Sequence, residues 1–376
     1  FSDIMRIEDE LDTQRLGLRH VIDARSDVLL SVIRQDRHGS LDFPDPIFPA
    51  TILSDQESWK AEAQYIASRN GIDVILGASY FDGEGREEII VSPDPLVTPS
   101  TPRHINAYGY LSIPAPGNRL QVQLGVSYDD LDSDVGEQSE VNPKIGLLWQ
   151  ATDRVSLRAA GYRVLKRRIN SDQGLEPTQL AGFNQFVDDR NGALSEGGGL
   201  AADFRISAAI SAGLQIARRN VRVPASIGGV VFFQDKREVS SSGYLYWLPS
   251  DQISVSLEPQ YQDIHRGDTF AKMDLTEIPL SVKFISPSGL WLGVAITGVE
   301  QSGIFDGPGG VVAAGSDSFL LVDAIVAYRL PGRRGTISLQ ADNIFNEKFQ
   351  FQEIDQVVAQ RYIPESQYFL RISASF

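Results

Sequence analysis

Side chains that alternate between apolar and hydrophilic at period two, in run after run, restrict this chain to strands that are dry on one face and wet on the other. Leu120, Val122, Leu124, Val126 and Tyr128 alternate with Gln121, Gln123, Gly125, Ser127 and Asp129. Trp59, Ala61, Ala63, Tyr65 and Ala67 alternate with Lys60, Glu62 and Gln64, and Ile253, Val255, Leu257, Pro259 and Tyr261 with Ser254, Ser256, Glu258, Gln260 and Gln262. Ile337, Leu339 and Ala341 alternate with Ser338, Gln340 and Asp342. Successive side chains of a strand point to opposite faces, so each run carries one apolar and one hydrated face. A soluble sandwich strand shows the same alternation. The connections between the runs separate the two readings.

Eight short turns carry the Gly, Pro, Asn and Asp that reversals need: Asp23–Ser26, Arg69–Ile72, Pro114–Asn118, Ala151–Asp153, Ser207–Ala209, Pro249–Asp251, Ser286–Gly289 and Leu330–Arg334. Between them lie longer polar segments at Arg37–Ser58, Asp82–Arg103, Leu131–Glu140, Arg167–Ser195, Ile264–Asp274, Ser302–Ser318 and Phe351–Pro364. Short turns alternating with long loops are the asymmetry of a bacterial outer-membrane barrel. A sandwich has no reason to segregate them. Trp149, Trp247, Trp291, Tyr246 and Tyr328 sit near the short turns, and Tyr80, Tyr128, Tyr261 and Trp59 near the loops. Two such belts are where amphipathic rings settle at lipid headgroups. The expected fold is therefore all-β, a transmembrane antiparallel β-barrel located in the cell outer membrane.

Composition narrows the function. The chain has 376 residues, 42% of them hydrophobic, and no stretch long and apolar enough for a spanning helix. It has no Cys, which removes thiol catalysis, disulfides and Cys-based zinc sites. A net charge of -15 opposes nucleic acid as a partner. The partners implied instead, for a barrel, are outer-membrane lipid and lipopolysaccharide.

The last residues run Tyr368, Leu370, Ile372, Ala374 and Phe376 on one face, against Phe369, Arg371, Ser373 and Ser375 on the other. The chain ends on the aromatic Phe376, on the apolar face of that strand. By turn counting the chain supplies about seventeen strands, whereas bacterial single-chain barrels have even numbers. Both the first strand, read as starting near Arg15, and the last run toward the short-turn rim. Phe1–Leu11 then reads as the tail of a loop, with at least one strand preceding it. If one strand is instead spurious, the poorly patterned stretch Leu194–Val239 is its place.

Three stretches resemble the TonB-dependent receptors of the Gram-negative outer membrane. Asp342-Asn-Ile-Phe-Asn-Glu-Lys-Phe349 is similar to that family's penultimate-strand signature, followed by Arg361-Tyr-Ile-Pro364 and Phe376 in the family's order. Asn142-Pro-Lys-Ile-Gly-Leu-Leu-Trp149 with Ser156-Leu-Arg-Ala-Ala160 resembles its mid-barrel hairpin. Gly174-Leu-Glu-Pro-Thr178 is similar to a segment leading out of a long loop. The resemblance implies that residues 1–376 are part of a larger barrel of about twenty-two strands, with the N-terminal plug and first strands outside the sequence. It implies a barrel that binds or transports a solute across the outer membrane, with a plug or periplasmic domain encoded upstream, and it makes Phe376 the candidate assembly signal, read by the barrel-assembly machinery. The alternative is a non-transporting barrel, an export pore or the structural anchor of an envelope complex.

No catalytic set emerges. His20, His38, His104 and His265 have no HExxH or similar spacing and read as surface or rim residues, and no G-x-S-x-G occurs. Gly197–Gly199 and Gly307–Gly310 precede no helical pattern and read as loop glycines rather than phosphate cradles. No enzyme activity, cofactor or metal is implied. The candidate functional set is the charges that alternation turns toward the hydrated face: Lys60, Glu62, Arg158, Lys166, Asp203, Arg205, Arg219, Glu258, Lys283, Asp323, Arg329, Asp342 and Arg371. Such lumen-facing charges tune selectivity in an open barrel or hold a plug.

Overall fold

A computed structural model describes residues 6–43, 50–91, 95–133, 136–166, 174–187, 189–227, 230–267, 272–306, 312–349 and 365–374. They fall into two compact units. The first comprises Phe1–Leu147, Ala160–Glu196 and Arg222–Phe233; the second comprises Leu148–Ala159, Gly197–Val221 and Gln234–Phe376.

The strands in chain order begin with β1 (Arg6–Asp23), β2 (Ser26–Phe43), β3 (Ala50–Arg69), β4 (Ile72–Ile90), β5 (Leu96–Ser100), β6 (Arg103–Pro114) and β7 (Leu120–Ser133). There follow β8 (Gly136–Thr152), β9 (Val155–Leu165), the two-residue strands β10 (Gln179–Leu180) and β11 (Phe183–Asn184), β12 (Leu194–Arg205), β13 (Ile210–Ile227) and β14 (Val230–Ser250). The last are β15 (Ile253–Leu257), β16 (Gln260–Arg266), β17 (Lys272–Ile285), β18 (Leu290–Asp306), β19 (Val312–Arg329), β20 (Gly335–Asp342) and β21 (Gln367–Ala374).

In the first unit each long strand pairs antiparallel with the next, from β1 through β4. β4 then shares its length between β5 on the loop side and β6 below, and β6 pairs with β7. The second unit repeats the scheme from β14 to β21. β15 and β16 are one strand in register, Leu245 facing Leu257 and Ser242 facing Gln260. The ladder lapses between them because Pro259 and Pro279 have no N–H to give. Their carbonyls still accept, from Gly243 N at 2.8 Å and Glu258 N at 3.0 Å.

The reversals lie where the turn residues predict. Asn70–Gly71 carries φ of 54° and 78° between β3 and β4, left-handed values that Asn and Gly tolerate. The long loops differ from expectation. Most of Arg37–Ser58 is strand, β2 running to Phe43 and β3 starting at Ala50, and Ile264–Asp274 and Ser302–Ser318 are shortened in the same way. Arg6–Leu11 is strand as well, paired with Leu41–Asp42 and their neighbours, rather than the tail of a loop. Here Arg6, Glu8 and Glu10 form one face and Ile7, Asp9 and Leu11 the other, so Asp9 breaks the alternation, yet the backbone ladder continues. Cross-strand ion pairs accompany it, such as Arg37 with Asp9 at 2.8 Å. Leu194–Val239, the poorly patterned stretch, forms β12, β13 and part of β14. Phe376 and the segment Phe351–Pro364 lie outside the described residues.

Burial is inverted relative to a water-soluble sheet. In the first unit Ser31, Gln35, Lys60, Glu62, Gln64 and Asp129 are buried, while Leu30, Val32, Trp59, Leu76, Leu124 and Val126 on the opposite face are exposed. In the second unit Arg219 and Gln301 are buried while Leu280, Val282, Val294, Ile296, Val326 and Leu339 are exposed. Polar groups inside and a continuous apolar face outside is the arrangement that lipid solvates and water does not.

Candidate functional site: the polar wall

The polar face of the first unit is a connected network. Lys60 Nζ stands 3.1 Å from Glu62 Oε2, two positions along β3, with both side chains almost fully buried. On β6, residues 104, 106, 108 and 110 share this face. Asp129 of β7 gathers three neighbours: Asn106 Nδ2 donates to Oδ1 at 2.8 Å, Asn142 Nδ2 to Oδ2 at 2.7 Å, and His104 Nε2 lies 3.1 Å from Oδ1. Ser127 adds its hydroxyl at 3.1 Å. A buried carboxylate is tolerable only when its lone pairs are filled in this way. Lys144 continues the chain, donating to Ser127 Oγ at 2.8 Å.

Two tyrosines lie flat along the wall because glycines face them. Tyr108 pairs across the ladder with Gly77, and Tyr110 with Gly125. A Cβ on Gly77 would stand 2.3 Å from Tyr108 Cζ, and one on Gly125 2.8 Å from Tyr110 Cδ1. A ring covering a cross-strand glycine replaces the side chain the glycine lacks.

Onto this wall folds the segment Gly174–Val187, which carries the β10–β11 hairpin. Tyr110 donates to Glu176 Oε1 at 2.6 Å, and Lys144 Nζ reaches the same oxygen at 3.1 Å. Gln185 Nε2 donates to the Tyr110 hydroxyl at 3.1 Å, and Ala181 N donates to Gln123 Oε1 at 2.7 Å. Leu175 is held from both sides, its carbonyl accepting from Gln64 and its N–H donating to Glu62.

In the second unit Arg158 pairs with Asp203 at 2.9 Å, and Asp203 also accepts from the Tyr244 hydroxyl at 2.9 Å. Tyr244 stacks on Tyr246 at 4.9 Å, and Tyr246 donates to Glu258. Tyr246 thus lies on the polar face, not in the lipid belt with Trp247. A cavity of about 300 Å³ opens here, lined by Arg158, Asp203, Tyr244, Tyr246, Glu258 and Gln260 among others. Farther along β13 and β14, Arg219 Nε donates to Glu238 at 2.8 Å, with Lys236 on the same carboxylate. A small apolar cluster of Met273, Leu275, Val299, Phe319 and Phe349 sits toward the loop side.

The predicted charges divide by position. Lys60, Glu62 and Arg219 are buried, and Arg158 and Asp203 half-buried in a mutual pair. Lys166 closes the base of the inner segment, its ammonium on the Val187 carbonyl at 3.0 Å. Asp323 accepts from Asn343 N at 2.8 Å, and Asp342 from Gln340 at 2.9 Å. Glu258 is exposed beside the cavity, and Arg205, Lys283, Arg329 and Arg371 are exposed. Asn343 and Asn346, from the terminal signature, take φ of 48° and 52°; the Asn343 side chain bonds Glu347 N and O, closing the turn after β20.

Reading histidines as surface or rim residues fails for His104, which is buried in β6. Tyr108, Tyr110, Asp129, Asn142, Lys144 and Glu176 also escaped the sequence reading. Parity alone places His104, Asn106, Tyr108 and Tyr110 on one face with Ser127 and Asp129. That signal was present, but a search for charges passed over the tyrosines and amides, took Asp129 only as part of a hydrated face, and left Lys144 and Glu176 inside stretches read for resemblance.

The fold and its lipid-facing surface define a class, the outer-membrane β-barrels. Residues 8–192 match the family described as TonB dependent receptor-like, beta-barrel. A search of curated proteins finds no match. Among solved structures, the ferric citrate transporter FecA in unliganded form aligns at 14% identity and a TM-score of 0.73, covering 98% of this chain and 62% of that one. The ferric preacinetobactin receptor BauA from Acinetobacter baumannii aligns at 12% and 0.70, covering 97% and 63%. The copper transporter OprC aligns at 12% and 0.71, covering 98% and 66%. The chain spans less than two-thirds of the length of each. Residues 8–192 are thus similar to the TonB-dependent receptor-like barrel family, and the described residues have the fold of an outer-membrane barrel.

Proposed function

We propose that this barrel binds a solute at the cell surface and admits it across the outer membrane, the solute being a metal complex too large for a general porin. The observation that carries the reading is the inverted burial: a wall of paired charges, amides and tyrosines faces inward while leucines and valines face lipid. Such a wall solvates a polar cargo, and its buried pairs, such as Lys60 with Glu62 and Lys144 with Glu176, neutralise one another rather than trap one ion. The three structural neighbours, named for ferric citrate, ferric preacinetobactin and copper, support the cargo class. On this reading residues 1–376 form one barrel domain whose wall charges, from Lys60 to Arg371, face the passage or a plug. Lipid, lipopolysaccharide, the assembly machinery and an upstream plug are its partners.

Deletion of the gene in its native host tests this. Uptake of at least one member of a panel of ferric and cupric chelates is expected to fall, and to return on complementation. Parental uptake of every member would overturn the reading.

A further inference from the structure

We infer that Gly174–Val187 is an internal strap: a hinged segment of the chain's own loop, docked on the polar wall of the first unit, which must leave for the face beneath it to be reached. As a gate on the proposed passage it deepens the transport reading and rests on it for its purpose, though not for its geometry.

The strap is anchored at its base. Lys166 N donates to Ala193 O at 2.7 Å and Gly192 N to Lys166 O at 2.9 Å, so the loop closes on itself just beyond β9. Its tip is also fixed. Leu180–Phe183 turns through Ala181 and Gly182 with φ of 48° and 82°, and the turn lies against β8. Glycine at position 146 lets the turn come close, since a Cβ there would stand 3.0 Å from Ala181 Cβ and 3.1 Å from Leu180 Cγ and would press the turn outward slightly. Between base and tip a lock closes on Glu176, whose Oε1 takes both the Tyr110 hydroxyl and the Lys144 ammonium. Lys144 and Glu176 side chains are 0% and 1% exposed, so the pair is sealed while the strap is down.

The contacts have a character suited to release. The wall offers the strap amides, a hydroxyl, a carboxylate and an ammonium, while Leu180, Ala181 and Phe183 supply the strap's own buried apolar contact. Leaving hydrates Glu176 and Lys144 together, so neither charge is stranded in a dry wall, and a segment whose only ladder is its own β10–β11 hairpin opens before the sheet that carries it. Once Glu176 leaves, Lys144, Ser127 and Tyr110 face the passage.

The chain has no native cysteine, so introduced thiols report cleanly. In the intact outer-membrane protein, Gly146→Cys with Ala181→Cys is expected to cross-link under mild oxidant, since a shift of about half an ångström brings the Cβ atoms into disulfide range. Metal-complex uptake should fall several-fold on cross-linking and recover with reductant. Failure to cross-link overturns the docked placement, and a cross-link without effect on uptake overturns the gating role. A second arm needs no cargo, so it stands even if the transport reading fails. Ser127→Cys should react slowly with a water-soluble maleimide and roughly tenfold or more faster when Tyr110→Phe and Glu176→Gln are added. Equal rates, slow or fast, would sink the strap.

Discussion

Leu257→Arg set against Gln260→Arg measures the facing of the wall directly. Leu257 lies five residues beyond Gln252 in the short turn. At about 3.4 Å per residue and a tilt of about 40°, that raises it about 13 Å, near the middle of an apolar band about 25 Å tall. Its direct neighbours are Leu245 on β14 and Leu280 on β17, both on the lipid side. An arginine there meets hydrocarbon and should cost about 2–4 kcal/mol, or about 30- to 900-fold in the folding equilibrium. Gln260 is three residues away on the opposite face, donating to Glu277 at 2.6 Å beside the cavity that Glu258 also lines. An arginine there finds two carboxylates and water, and should stay within about 0.5 kcal/mol of the parent. Leu257→Ala separates lost packing from the charge. Urea unfolding in lipid vesicles, followed by tryptophan fluorescence, reads all three. Equal costs for the two arginines, or a larger one at Gln260, would refute the assignment of faces, because register fixes one face for the whole strand.

Asp129→Asn should destabilise the barrel by about 1–3 kcal/mol in the same assay, since an amide then meets the Asn106 or Asn142 amide donor in a buried site; an unchanged midpoint would mean the carboxylate is not the hub. Gly77→Val should cost about 1–3 kcal/mol by driving a Cβ into Tyr108, and Tyr108→Ala should relieve part of it; strict additivity would show that ring and glycine do not touch. His38, at the loop-side end of β2 and outside the membrane, is 2.7 Å from Asp55, whose hydrogen bond raises its pKa, helped by the charges of Asp55, Glu10 and Asp36. A raised folded-state pKa means the pairing stabilises fully below the ordinary histidine value of about 6.5 and is lost as pH rises through the raised value. NMR titration should show His38 ionising above the ordinary range and returning toward it in Asp55→Asn; a titration untouched by that substitution would refute the pairing.

How far the sequence carried the fold follows from what each signal depends on. The facing of β3, β7, β15 and β20 was legible because lipid demands an unbroken apolar face, which period two reveals. The turns were legible because Asn70, Gly71 and Gly289 meet local backbone demands that few other residues meet. The strand extensions beyond the belts were not. Asp9, Arg37, His38 and Asp55 lie in water on both sides of the sheet, so nothing in their order distinguishes strand from loop. What holds them is the partner strand, seen only in the register that sets His38 opposite Asp55 and Glu10.

The wall charges show the same division between local and non-local. Lys60 and Glu62 are two residues apart on one face, so their pairing follows from alternation alone. Arg158 and Asp203 are brought together across strands, and sequence nominates both without pairing them; of Arg219 and Glu238, paired between β13 and β14, it nominates only the arginine. Glu176 is the extreme case. It stands in a loop, where no periodicity applies, and its burial is decided by Tyr110 and Lys144 on strands elsewhere in the chain. A carboxylate in an aqueous loop would gain nothing from a buried lysine unless both were desolvated together, and an ion pair so deeply buried loses heavily when one partner leaves. The strap and the wall therefore constrain one another: Lys144 is tolerable inside because Glu176 comes to it, and the segment stays down because Lys144 waits there.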